Sequence, residues 1–530
     1  MKARIYLPGI ALLISCGGQS LKAQLTETTP MAVLVPGAPP PARFGRPWTM
    51  GQHVRTNLTK PATTHYDDTL RLSLSQVVAM AKEQSIAARQ AVTLKENKYW
   101  LWRTYQSNYK PQLVLDGRLP AYSKTYQEIL QPNGTISFQP VKNNNSSLNL
   151  SLEQSIAQTG GTIFGTTLLQ RFDDFDRKTT LYNGVPYAVG YTQPLFMFNN
   201  LKWDKRIEPL KYNESRQEYI ESMEQIAIRA SGYFFDLLLA QVNLQIAETN
   251  FNNTTNILRI ANEKFELGRV SRNEILQLQL ELLKSKKSVA SAKREMEIAV
   301  LNLRAYVGLK GEEKVALNLP EGAIAIEVSA DKVLTEAYAN RSDAIAFRRK
   351  ITEAKRDVAK ARGDNSLNAR LTARLGFSNS SLNLPGVYKS PNNQQLFQLE
   401  FDIPILDWGR SRSRMKTAQA NQKFVEYAVE QDQQVFRQEI FTQVTLFDMM
   451  QEQVSLTEQA DSIASEKYQI ARERYVLGKL SITDLSIAFQ EKDQAKRDYV
   501  FALRDLWGAY YQLRYLSLYD FEKNEKIIYQ

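Results

Sequence analysis

The chain has 530 residues, of which 43% are apolar and 23% charged, and its formal net charge is +11. No run of eighteen apolar residues occurs, which excludes an ordinary membrane-spanning helix, whereas an alternating β-barrel segment stays compatible with this composition. A single cysteine excludes an internal disulfide, so stability must come from packing or assembly.

The positive charge does not indicate nucleic acid binding. Lys and Arg are interleaved with Glu and Asp in segments such as "EAKRDVAKARGD", which is typical of solvated helix faces. His53 and His65 have no other His or Cys nearby and make a poor metal site. Because the chain also lacks a phosphate-binding loop and a nucleophile elbow, we predict neither an enzyme nor a cofactor.

Residues 1–23 predict an export signal, because Lys2 and Arg4 precede an apolar run. Two ways of processing it remain open. The sequence "LISC" resembles a bacterial lipoprotein box, which would place a lipid on Cys16. Cleavage after Ala23 would instead remove that cysteine.

The chain contains one internal repeat. "EKFELGRVS", Glu263 to Ser271, returns as "ERYVLGKLS", Glu473 to Ser481, and Pro194 and Pro404 are separated by the same interval. Two copies, rather than many, indicate a duplicated half-molecule and not a solenoid.

This repeat divides the chain into segments. We predict an export signal (1–23), a proline-rich tail (24–70), a first strand-and-helix repeat (71–310), a connector (311–331), a second repeat (332–520) and a C-terminal tail (521–530).

Extended segments precede each repeated proline. Phe397, Leu399 and Phe401 alternate with polar residues before Pro404, and Leu113 and Leu115 alternate with polar residues near the front of the chain. This period of two predicts strands with one apolar and one polar face.

Long helices follow each proline. The runs Phe198–Gly268 and Trp408–Gly478 each cover about 70 residues, or roughly 100 Å of helix. We expect each run to fold back at its glycine into an antiparallel hairpin, with Ser271 and Ser481 capping the returning helices.

These features together resemble the TolC family of bacterial outer-membrane efflux channels over about residues 70–520. The motifs that carry the resemblance are "QPLF" and "IPILDWGRSR" at the strand-to-helix junctions, the two glycine-centred phrases, and Ala339–Arg362, which is similar to the family's opening helix of the second half.

The resemblance implies a mostly α fold with a β-barrel part. Long antiparallel helical hairpins would form a periplasmic α-barrel, and a homotrimer would share a 12-stranded transmembrane β-barrel with four strands from each chain. Leu113, Leu115, Phe397 and Leu399 would face outer-membrane lipid. The water-filled lumen would be lined by Asp116, Arg118, Gln398, Glu400 and Asp402.

The implied function is the exit duct of a tripartite efflux or type I secretion system in the outer membrane. Transport would be passive and driven by an inner-membrane transporter through a periplasmic membrane-fusion adaptor. The implied adaptor-docking residues at the tips are Gly268, Val270, Ser271, Gly478, Leu480 and Ser481. Glu274 and Asp484 would form a periplasmic gate, although Ile487 replaces a second aspartate that the family carries.

The two halves differ in length, because the first strand region holds about 48 extra residues. We expect these to form a lengthened hairpin or a surface loop rather than extra strands. The alternative function is a periplasmic coiled-coil scaffold without a pore. A hydrolase is disfavoured because no paired-carboxylate cleft is evident.

Overall fold

The fold is described from a computed structural model over residues 69–310, 314–320 and 326–529. The predicted signal, Cys16, both histidines and most of the proline-rich tail lie outside these ranges. The strands are β1 (Thr69–Leu72), β2 (Gln112–Arg118), β3 (Tyr122–Leu130), β4 (Ile136–Ser155), β5 (Thr162–Asp174), β6 (Thr179–Leu195), β7 (Lys314–Leu317), β8 (Asn368–Ser381), β9 (Asn392–Asp402), β10 (Tyr519–Asp520) and β11 (Glu525–Lys526). The helices are α1 (Leu74–Gln84), α2 (Ile86–Ser107), α3 (Asn200–Glu266), α4 (Arg272–Val307), α5 (Ala330–Asn340), α6 (Ser342–Asp364), α7 (Leu384–Val387), α8 (Arg410–Val476) and α9 (Ile482–Ser517).

The duplicated long helices are confirmed. Helices α3 and α8 have 67 residues each, and α4 and α9 have 36 each. Each long helix ends beside its repeated glycine, and the next helix packs back along it. The two halves therefore each carry one antiparallel hairpin of the same size.

Across the described ranges, we find no helix with the length and apolar character needed to span a membrane.

The main sheet is wholly antiparallel, in the order β2-β4-β5-β6-β8-β9. Strands β2 and β3 lie one after the other along the 20-residue β4, so they occupy a single place in that order. The first half thus contributes four places and the second half two.

The sheet therefore has six strand positions per chain, where four were expected, and the extra residues form hairpin strands of the sheet rather than a surface loop. At the segment "TGGT", between β4 and β5, the chain reverses within a few residues. Gly160 has φ +76°, and its N–H donates to the carbonyl of Ile156 at 2.8 Å. Such a tight turn needs glycine, and it leaves both flanking runs in the sheet.

A second, two-stranded sheet joins distant parts of the chain. β7, which lies in the predicted connector, pairs in parallel with β1, with Thr69 beside Lys314. The C-terminal residues form the short β10–β11 hairpin. Both packed segments extend the main helical core beyond the two repeats.

The largest apolar core lies where α1, α3, α8 and α9 meet. Its fully buried side chains include Phe234 and Phe235 of α3, Phe447 of α8, and Leu503 and Leu506 of α9. Burial of such side chains contributes about 1.5–3 kcal/mol each relative to exposure.

A buried ionic cluster ties this core to the C-terminal segment. Glu224 of α3 is 0% exposed and accepts from Lys82 Nζ at 2.7 Å and from Arg514 Nε at 3.1 Å. Tyr529 also donates to it, and Arg514 pairs with Asp520. Burial raises the pKa of Glu224, but the two cations outweigh this effect and hold the pKa below its ordinary value of 4.5.

We expect Glu224→Gln to lower the free energy of unfolding by about 3–5 kcal/mol, because Lys82 would lose its carboxylate partner in the buried cluster and Arg514 would keep only Asp520. In the unsubstituted protein, the pKa of Glu224 is lower in the folded than in the unfolded chain. Its carboxylate therefore stabilises the fold at pH values above the pKa of the unfolded chain, and this stabilisation is lost as the pH falls through the pKa of Glu224 in the folded chain. Thermal unfolding in detergent, at neutral and acidic pH, measures both effects.

The matched control is Glu491→Gln, which removes an ion pair with Lys467 on the exposed surface of the second hairpin. That change should alter stability by less than about 1 kcal/mol. Equal effects of the two substitutions would contradict the role given to Glu224.

Candidate functional site: the hairpin tips and the two-faced sheet

The two hairpin tips have the same backbone geometry. Gly268 and Gly478 have φ +70° and +74°. At the first tip Arg269 N donates to the carbonyl of Lys264 at 2.9 Å, and at the second Lys479 N donates to that of Arg474 at 2.9 Å. The repeated phrase therefore encodes one helix-terminating turn, used twice.

The predicted serine caps are present at both tips. Ser271 Oγ accepts from Glu274 N at 3.3 Å, and Glu274 Oε2 accepts from Ser271 N at 3.0 Å, which makes a capping box. Ser481 Oγ accepts from Asp484 N at 3.1 Å and lies 2.7 Å from Asp484 Oδ2. The structure thus places the two predicted gate carboxylates in the first turns of α4 and α9, where each interacts with its own cap.

The predicted docking residues divide into two groups by exposure. Val270 and Leu480 are half-buried against a small tip core. That core consists of Ala261, Ile275, Leu278, Tyr468, Ala471, Ile482, Leu485 and Ala488. The two glycines and two serines are exposed. Val270 and Leu480 therefore stabilise the tips by packing against this core.

Two exposed leucines at the tips were missed by the sequence analysis. Leu267 is 71% exposed and Leu477 is 68% exposed, and each directly precedes its glycine. The repeat contained the signal, because "LG" occurs in both phrases. An exposed leucine at the apex of a turn has little apolar surface buried within its own chain, so this pair is a candidate contact surface for another molecule.

Polar contacts tie the two hairpins together near the tips. Asn250 Nδ2 of α3 donates to Asp493 Oδ2 of α9 at 2.5 Å, and Asn253 Nδ2 donates to Tyr468 OH of α8 at 3.1 Å. Lys264 Nζ lies 3.3 Å from the carbonyl of Val476, at the C-terminal end of α8. Burial raises the pKa of Tyr468, which keeps its hydroxyl protonated. These contacts fix the first tip against the second.

The main sheet has one mostly apolar and one mostly polar face, with exceptions such as Phe164 and Leu168 of β5, which lie on the polar side. Paired residues point to the same side, and the register aligns Leu113 with Leu152, Gly165, Val189 and Leu375 in turn. The apolar face continues on β9 with Phe397, Leu399 and Phe401, which are exposed. The opposite face carries the polar residues Asp116, Asn149, Thr166, Thr372 and Gln398.

Within the described ranges, both outer edges of this sheet are open. Every residue of β2 and of β9 is exposed, and each of these strands pairs on one side only with another described strand. The sheet therefore presents an apolar face and two unpaired edges, which is an arrangement unsuited to water.

Comparisons with known proteins agree with this geometry. Residues 148–309 and 333–517 match the model of a family described as "Outer membrane efflux protein". A protein named "Probable outer membrane lipoprotein SilC", from Salmonella typhimurium, is 22% identical over 369 residues, which are 65% of this chain and 76% of that protein.

Solved structures of similar fold include outer-membrane channels. CusC matches with a TM-score of 0.59 and 17% identity over 84% of this chain and 91% of that chain. OprN matches with a TM-score of 0.61 and 16% identity over 84% and 89%. CmeC of Campylobacter jejuni matches with a TM-score of 0.59 and 18% identity over 85% and 88%.

The left-handed tip turn gives a direct prediction. Gly478→Ala should destabilise the second tip by about 1 kcal/mol, because alanine pays a steric cost at positive φ even though open space surrounds the position. Hydrogen exchange of the amides around residues 475–485 measures the local effect.

Gly508→Ala is the control, because this glycine lies inside α9, also with open space around it. It should leave the tip unchanged and stabilise the helix by up to about 1 kcal/mol. Two results would show that the turn does not depend on glycine. One is an unchanged rate of hydrogen exchange at the tip in Gly478→Ala, and the other is faster exchange at the tip in the Gly508→Ala control.

Proposed function

The chain belongs to the outer membrane efflux protein family, and from this premise we propose that three copies form the exit duct of an efflux or secretion system. The protein lies in the outer membrane. Its two-faced sheet would close around a shared pore in the membrane, and the helical hairpins would continue that pore into the periplasm as an α-barrel. Transport through it is passive, and an inner-membrane transporter supplies the energy.

The observation that carries this proposal is the sidedness of the sheet. Most of its exposed apolar side chains, such as Leu113, Val189 and Phe397, lie on one face. Hydrocarbon can cover such a face, while the polar face lines water. Closing the sheet into a ring would also satisfy the backbone groups of both edges, as a lipid environment requires.

A second feature supports assembly from several copies. Met449, Leu456, Ile463 and Ile470 of α8 are spaced by seven residues and exposed. A heptad stripe of this kind forms the seam of a coiled coil. The long helices of a neighbouring copy offer a partner of matching length, whereas a scaffold without a pore would leave the apolar face of the sheet uncovered.

The tips are proposed to contact a periplasmic adaptor through Gly268, Val270, Ser271 and their counterparts Gly478, Leu480 and Ser481. Leu267 and Leu477 add an apolar anchor to each contact. Glu274 and Asp484 are proposed to place carboxylates at the tunnel mouth. Lipidation of Cys16 is proposed on the strength of the "LISC" sequence and of the lipoprotein name carried by one relative.

Conductance in planar lipid bilayers tests the pore. The purified trimer should give discrete current steps. If the tips constrict the tunnel, Asn250→Ala combined with Asp493→Ala should raise the step size, because these residues tie the hairpins together. Absence of current from both proteins would contradict the proposal.

Adaptor docking has a separate test. A photocrosslinker at position 477 should capture a protein that mass spectrometry identifies as a membrane-fusion adaptor, and Leu477→Glu with Leu267→Glu should reduce export by tenfold or more, since two anchors become charged. The control is Leu382→Glu, an equally exposed leucine in the loop after β8. Equal loss of export in the control would remove the special role of the tips.

A further inference from the structure

The sheet contains six strand positions per chain, where four were expected, and the part of β4 that pairs with β2 alternates like β2 and β9. On β4, Leu148, Leu150 and Leu152 point to the apolar face, as their pairing with β2 requires. Between them, Asn149 and Ser151 point to the polar face, where Asn149 accepts from Thr166 Oγ1 at 2.6 Å. A surface loop outside the membrane has no reason to keep this pattern over residues 148–152, level with the apolar residues of β2.

The directions of the two edges are complementary. Each of the six places in the sheet runs opposite to its neighbour, so β2 and β9 run in opposite directions. The β9 edge of one copy therefore fits the β2 edge of the next as an ordinary antiparallel pair. Repetition of this contact gives a closed ring in which no edge remains.

The apolar belt gives the register of that contact. Following the pairs straight across the sheet, Leu113 is level with Gln395, whereas the apolar residues of β9 on this face run from Phe397 to Phe401. The helix-side limit of the belt thus shifts by about six residues towards the helices from β2 to β9. Over the five strand spacings between β2 and β9 this shift corresponds to a tilt of about 40°. Membrane barrels have tilts of about 35–45°.

We infer that all six places belong to the membrane wall, so that three chains of six form an eighteen-stranded barrel joined through β9 of one copy and β2 of the next. This inference rests on the proposed function. Matching the belts places Leu115 opposite Phe401 of the neighbouring copy. A barrel of about 16–18 strands encloses an aqueous channel, so the opening in the membrane is wide and the helical tips set the narrowest point.

Site-directed spin labels in the full-length protein in liposomes test the wall. Cysteines for labelling replace Leu150 and Ser151 on β4, and Leu399 and Gln398 on β9, with the unsubstituted protein as background for Cys16. Labels at positions 150 and 399 should be relaxed by oxygen, which concentrates in lipid. Labels at positions 151 and 398 should be relaxed by a water-soluble nickel complex.

The outcomes distinguish a failure of the eighteen-stranded barrel from a failure of the proposed exit duct. If β9 alternates but both β4 labels respond to nickel, β4 lies outside the membrane and the eighteen-stranded barrel is wrong, while the duct stands. If neither strand alternates, the proposed duct fails and the inference fails with it.

Disulfide crosslinking tests the edge contact independently of labelling. Leu115→Cys with Phe401→Cys should give covalent dimers and trimers on oxidation, with Leu115→Cys and Leu399→Cys covering a shift of two residues. The matched control is Thr167→Cys with Phe401→Cys, because Thr167 of β5 faces the same side and β5 would be the edge of a four-stranded wall. Crosslinks in the control alone would overturn the inference.

Discussion

The backbone of an edge strand carries a row of N–H and C=O groups that must find partners, and in hydrocarbon no water supplies them. Among the described residues, the chain presents two such edges on β2 and β9, on a sheet with one mostly apolar face. In the proposed assembly, a neighbouring copy pairs with each edge. The shape of that assembly, the direction of its pore and the placing of the helices below it would all follow from this pairing.

The long helices determine how far the chain extends from the sheet. Helices α3 and α8 carry the chain about 100 Å away from the sheet before it turns back. Both turns use a left-handed glycine, a serine cap and a half-buried aliphatic residue in the same order. The duplication therefore gives two tips with equal geometry, and each carries one exposed leucine. The buried charges around Glu224 join α3 to α1, to α9 and to the C-terminal segment.

The sequence predicted those parts of the fold that depend on local periodicity or on the repeat. The interval between Gly268 and Gly478 located both hairpins, and the alternation around Phe397 located the strands with their correct faces. The count of strands could not be obtained in this way, because local alternation does not show whether β4 and β5, on either side of "TGGT", join the sheet or form a hairpin outside it. The pairing of β1 with β7 and the contacts of Glu224 join residues far apart in the chain, and nothing local marks them. Leu267 and Leu477 were visible in the repeat, but their exposure became evident only from the packing of Val270 and Leu480.

Electron cryomicroscopy of the detergent-extracted protein gives the most direct test of the central claim. We predict a threefold ring in which β9 of each copy is hydrogen-bonded to β2 of the next, with Gln398 facing an open lumen and Phe397 facing detergent. A single chain whose apolar sheet face is covered by another layer of protein, with both edges left free, would contradict it.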